Sequence, residues 1–142
     1  MKWSRPLALG GLGIFTLAYA TAFGACDRPM PEAEEGQDQL LSALASLTTP
    51  EVHRDGEALF TVGCVQCHGP LASGSELGPP LVHTVYRPAH HADAAFQLAV
   101  LRGVRAHHWG FGDMPPQPNV TSEMATAITG YVRWLQRQVG ID

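Results

Sequence analysis

Cys64-Val65-Gln66-Cys67-His68 places two thiols three positions apart and sets an imidazole beside the second of them. On a tight helical turn this spacing lets both thiols add across the two vinyl groups of a haem. The next residue then turns its imidazole to the iron, so C-x-x-C-H is a haem c attachment pattern. A C-x-x-C redox pair with an incidental histidine would need a βαβ context, and strand signals are missing here. Zinc is disfavoured as well, because no second C-x-x-C and no well-spaced histidine pair follows.

An iron with one imidazole takes a sixth ligand or leaves that position open. Two methionines follow the motif. Met124 falls on the apolar stripe of a C-terminal helix and reads as a core residue. Met114 stands in Gly112-Asp113-Met114-Pro115-Pro116, where a glycine and two prolines shape a fixed loop able to hold a thioether against the metal. Thioether is a soft ligand that favours Fe(II). A His68/Met114 pair therefore raises the potential and closes the iron to substrates, which is the chemistry of an electron carrier.

The elements that must position these groups are helical. Thr49-Pro50-Glu51 predicts a helix start with Thr49 as cap, running to about Val62. A second helix is expected from Asp93 to Arg102, with Phe96, Ala99 and Val100 on one face and Gly103 as its stop. The third is capped by Thr121, and Met124, Ile128, Tyr131, Val132, Leu135 and Val139 form its stripe. No segment alternates like a strand for long, so the fold class is all-α, with about three main helices around one cofactor.

The segment from residue 50 to 142 resembles a small class I c-type cytochrome, a mono-haem, all-α electron carrier. Gly56 and Phe60 are similar to the glycine and aromatic that let the terminal helices cross closely, and Tyr131 and Trp134 to the aromatics that meet them. The resemblance implies covalent haem c on Cys64 and Cys67, with His68 as proximal and Met114 as distal ligand. Gly78-Pro79-Pro80-Leu81 resembles the family's G-P-x-L stretch. It implies that the Pro79 carbonyl receives the His68 N–H and that Leu81 packs on the haem. The family's lysine-rich docking rim has no counterpart, since Lys2 is the one lysine in the chain.

Residues 1–25 read as an export segment, with Lys2 and Arg5 before an uncharged run of twenty residues, Pro6 to Ala25. At 1.5 Å per residue that run reaches roughly 30 Å. Three fates are open: cleavage after Ala20-Thr21-Ala22, lipidation of Cys26 in Phe23-Gly24-Ala25-Cys26, or retention as an anchor. Two of them tie the protein to the periplasmic side of a bacterial membrane, with the basic start inside. Residues 26–49 read as an acidic, mobile linker holding Asp27, Glu32, Glu34, Glu35 and Asp38. Within it, Leu40, Leu41, Leu44 and Leu47 repeat at helical spacing and suggest a short helix docked on the domain.

With 142 residues the chain has room for one modest domain and its appendages. Fifteen glycines and eleven prolines, with charged residues at only 15%, fit a loop-rich fold. Three cysteines exclude a purely paired disulfide framework. Without residues 1–25, seven arginines face thirteen acidic residues, a formal −6, which excludes nucleic acid and favours a basic or apolar partner surface.

His83, His90, His91, His107 and His108 lie between the haem motif and Met114. A second metal site, with copper as a candidate, is one use for them. Adjacent histidines usually point apart, which favours capping, haem-edge or solvent-facing roles. His107 or His108 on the distal side would compete with Met114. Trp109 is expected to donate its indole N–H to a haem propionate or to pack over the haem. Arg87, Arg102 and Arg105 are further propionate candidates, more often solvated. The whole reads as a membrane-tethered single-electron carrier serving redox partner proteins of respiratory or photosynthetic membrane complexes, and not as an enzyme. The alternatives are a haem subunit of a larger oxidase or dehydrogenase complex and a haem-based ligand sensor.

Overall fold

The computed structural model describes residues 31–142; the stretch read as an export segment, Cys26 and the start of the stretch read as a linker lie outside them. Five α-helices follow in order: α1 Pro31–Ala45, α2 Glu51–Gly63, α3 Val65–His68, α4 Asp93–Arg102 and α5 Ser122–Gln138. Two single 3₁₀ turns, Pro70–Ala72 and Thr84–Tyr86, punctuate the long connection between α3 and α4. Among the described residues there is no strand, only an isolated antiparallel bridge between Val104 and Met114. The architecture is all-α.

α2 and α5 form the scaffold. Their crossing depends on Gly56, since a Cβ there would collide with the Ala127 carbonyl and stand 2.9 Å from the Tyr131 Cβ. The absent side chain lets the two backbones approach. Phe60 packs on Tyr131 with ring centroids 5.7 Å apart, and Tyr131 stacks on Trp134 at 6.0 Å. Burial and the nearby Glu57 carboxylate push the Tyr131 phenol up to about 12, so it stays protonated in a core role. Phe60, Val132 and Leu135 are fully enclosed, and Leu44, Ile128 and Ala72 complete the cluster around them.

The helix limits follow local chemistry. α4 spans the residues that periodicity predicts, and Gly103 ends it with φ of +75°. α5 starts where the Thr121 Oγ1 accepts from the Met124 N–H, at 3.3 Å. α2 differs at its start. Pro50 occupies the cap position and no side chain caps the helix. Thr49 is instead buried at 8% exposure. The chain packs this residue rather than using its hydroxyl at the helix end.

The linker reading also changes. Helix α1 begins at Pro31 and includes the acidic stretch, ahead of the leucines whose spacing suggests a helix. Residues from Pro31 onward belong to one compact unit, and Leu44 reaches the hydrophobic core at 3% exposure. A proline at the first helical position and acidic residues in the first turns suit a helix start, and a single well-placed leucine anchors its end. No helix among the described residues is long and apolar enough to cross a membrane.

Candidate functional site

α2 hands the chain directly to the chemistry. Its last turn closes with the Cys64 N–H on the Phe60 carbonyl at 2.8 Å, and α3 then carries Val65, Gln66, Cys67 and His68 in one turn. The His68 N–H bonds the Cys64 carbonyl at 2.9 Å, which fixes the tight turn that the C-x-x-C-H spacing requires.

His68 is buried at 9% exposure, and its Nδ1 donates to the Pro79 carbonyl at 2.9 Å. This bond places the ring proton on Nδ1 and leaves the Nε2 lone pair available to a metal. Burial lowers the His68 pKa, with the Pro79 bond opposing the shift, and the imidazole stays neutral where a free histidine would begin to protonate. A neutral imidazole is the form that ligates.

Cys64, His68, Pro79, Leu81 and Met114 all line one cavity of about 340 Å³. Its walls are largely apolar, with Phe60, Phe96, Val100 and Ile128 among them. Cys67 is exposed and lies beside this cavity rather than in its wall. Burial, and then Cys67, push the Cys64 thiol up to about 11. A redox-active C-x-x-C pair carries a thiol of lowered pKa, so this environment disfavours the thiol-exchange alternative.

Met114 is set by backbone. Val104 and Met114 exchange N–H to carbonyl bonds, each 2.9 Å, and the Gln117 N–H bonds the Val100 carbonyl at 2.8 Å. Gly103 makes this approach possible. A Cβ there would stand 2.5 Å from the Met114 carbonyl, and its φ of +75° is a conformation that side chains disfavour. The loop before Met114 is closed by Asp113, whose Oδ1 accepts from the Ala106 N–H at 2.8 Å. Gly103 was legible in the sequence as a helix stop. Its second use, and that of Val104, involve Met114, eleven and ten residues away, which periodicity does not reveal.

Trp109 lines the cavity, but its indole donates to the Tyr86 hydroxyl at 3.0 Å. That N–H is held by a bond within the protein, and His83 stands edge-on to the ring at 5.1 Å. Arg87 bonds the Thr84 carbonyl at 3.3 Å. The cation that matters most to the site's architecture is Arg133, on α5. Buried at 5% exposure, it joins Asp93, Tyr86, His91 and Gln136 and thereby ties the 81–91 connection to α4 and α5. Tyr86 and His91 are themselves cavity-lining residues.

The family model for cytochrome c matches residues 53–136, from the third residue of α2 to the last turn of α5. The chain belongs to the cytochrome c family. It is a class I c-type cytochrome and carries covalently bound haem c. An apolar cavity edged by a thiol, a buried neutral imidazole and a thioether is the donor set such a group requires, so the residues present fit it. A similar solved structure is cytochrome CL from the marine methylotrophic bacterium Methylophaga aminisulfidivorans, with 29% identity and a TM-score of 0.48. That likeness covers 80% of this chain and 71% of the other. No curated protein matches the chain.

Proposed function

We propose that this cytochrome c is a single-electron carrier with His68 and Met114 as the iron's axial ligands and thioether links at Cys64 and Cys67. Electron transfer with redox partner proteins follows from the family; the ligand set and the setting are the proposal. The observation that carries it is that Met114, fixed by its bridge to Val104, lines the same apolar cavity as the Pro79-oriented His68. His107 and His108 also line this cavity and are the alternative sixth ligands. Both are exposed, whereas Met114 is half-buried in a loop that is hydrogen-bonded on both sides of it, and this favours the methionine.

When bound, the haem supplies a one-electron Fe(III)/Fe(II) couple, which thioether ligation shifts toward the reduced state. The protein's residues do the rest. Pro79 holds the His68 proton on Nδ1, the Val104 bridge fixes the reach of Met114, and the aromatic and aliphatic walls keep water from the centre. With His68 and Met114 both holding the iron, no position would be left for a substrate, which supports a carrier rather than an enzyme.

The export segment and the anionic, lysine-free domain support an exported protein, tethered to the periplasmic face of a membrane through residues 1–25 or an acylated Cys26, and serving membrane complexes. A net negative chain whose cations beyond residue 25 are all arginines suits a basic or apolar partner surface. Intact mass spectrometry of the protein purified from membranes tests these points together. The expected result is one covalent haem per chain and either an acylated Cys26 or a retained first segment. A chain without covalent haem would defeat the thioether assignment, and a cleaved, unmodified start would defeat the tether.

A further inference from the structure

Three of the histidines for which the sequence leaves a second metal site or separate structural roles open come together in space. His90, His91 and His108 bring one ring nitrogen each to within 4.8 Å of one another. Their ring centroids are 4.6 Å apart for His90 and His91, 5.3 Å for His90 and His108, and 5.1 Å for His91 and His108. We propose that these three imidazoles bind one divalent transition-metal ion at the rim of the haem cavity, with Cu(II) held more tightly than Zn(II).

His91 is the fixed member. Its Nδ1 donates to the Val85 carbonyl at 2.9 Å, which leaves Nε2 as the free lone pair. Its own carbonyl accepts from Arg133, and the turn beneath is closed by the His90 and His91 N–H groups on the Arg87 carbonyl, both at 2.9 Å. An anchored, half-buried histidine with its outer nitrogen already committed is the usual state of a metal ligand before the ion arrives.

His90 and His108 are exposed and supply the adjustment. Tetrahedral coordination at about 2.0–2.1 Å per nitrogen brings ligand atoms to about 3.3 Å from one another. Side-chain rotation of two exposed imidazoles covers that difference without moving the backbone. Imidazole donors suit copper and zinc, and the stability order across the first-row metals puts Cu(II) ahead. Three protein ligands leave a further position for water. The negative net charge of the chain favours a cation, and His91 and His108 also line the haem cavity. A bound dication there disfavours the more positive oxidised haem and raises its potential. The site itself depends on the three rings alone, whatever ligates the iron.

The test uses oxidised, tag-free, full-length holoprotein. Titration with Cu(II), followed by calorimetry and electron paramagnetic resonance, should show one equivalent bound beyond the haem iron, with nitrogen hyperfine structure. Zn(II), which is redox-inert, should raise the midpoint potential of the haem. The His90→Ala variant alters an exposed residue outside the haem cavity wall, so it should keep the wild-type haem spectrum and lose about 100-fold or more in Cu(II) affinity, above the roughly 10–100-fold range of an outer-shell change. No uptake beyond the haem iron would overturn the proposal. So would undiminished Cu(II) uptake in the His90→Ala variant.

Discussion

Replacing Arg133 with alanine should destabilise the folded protein by about 3–5 kcal/mol, the range for removing one partner of a buried charged network. The guanidinium bonds the Asp93 carboxylate at 2.7 Å, the Tyr86 carbonyl and the Gln136 Oε1 at 2.6 Å each, and the His91 carbonyl, with Phe96 4.5 Å beneath it. The ion pair is the smaller part. Asp93 is 63% exposed, and water screens it, so Asp93→Asn should cost less than about 1 kcal/mol. The larger loss comes from the two backbone carbonyls, which accept charge-assisted bonds worth about 1.5–3 kcal/mol each; the Tyr86 carbonyl keeps only the longer bond from Gln136 Nε2 at 3.3 Å. Arg133→Lys should not restore the wild type, because one ammonium cannot reach a carboxylate, two carbonyls and an amide in the way a planar fork does. Guanidinium unfolding of the holoprotein reads these differences. An alanine variant within about 0.5 kcal/mol of wild type would show that the network is dispensable.

The functional side of the same change is a looser cavity wall. Arg133 holds Tyr86 and His91 in the segment that also presents Trp109's hydrogen-bond partner, and Gln136 adds a bond to the Leu81 carbonyl at 2.8 Å. Loss of the arginine should therefore broaden the haem's spectral signature before global unfolding begins.

Met114→Ala should leave the haem attached through Cys64 and Cys67 while opening the sixth position of the iron. The reduced variant should bind about one CO per haem, where the wild type binds none. Its midpoint potential should fall by on the order of 0.1 V or more, given the span over which axial ligands set haem potentials. The size of the effect follows from what replaces the sulfur. Water is a harder ligand than thioether and favours Fe(III), and the side-chain truncation also wets a cavity that is otherwise apolar. A variant with an unchanged low-spin spectrum and no CO adduct would show that another group, His107 or His108, already fills that position.

Much of this arrangement is legible in the chain itself, because it is local. The haem motif is five consecutive residues, α4 is bounded by an acidic first turn and a glycine stop, and α5 announces itself through its cap and stripe. Gly56 and Phe60 are legible through family pattern, and so is the Pro79 carbonyl on His68. What periodicity misses depends on distant pairs. Arg133 lies outside the apolar stripe of α5, and its partners 40 to 47 residues away explain why it is buried. The indole of Trp109 finds Tyr86 across 23 residues, a partner that local sequence does not reveal. Thr49 reads as a cap because caps are chosen from local sequence, yet the chain buries it. The leucine spacing predicts a helix docked on the domain, and Leu44 is buried in the core; the acidic run before it reads as linker because its composition hides that the same helix already runs from Pro31.

The account rests on the sulfur of Met114 reaching the iron opposite His68. Iron K-edge X-ray absorption of the oxidised and reduced holoprotein measures this directly, since sulfur and nitrogen neighbours scatter differently. The prediction is one sulfur at bonding distance among nitrogen scatterers in both oxidation states; a first shell of nitrogen alone would contradict it and hand the sixth position to a histidine.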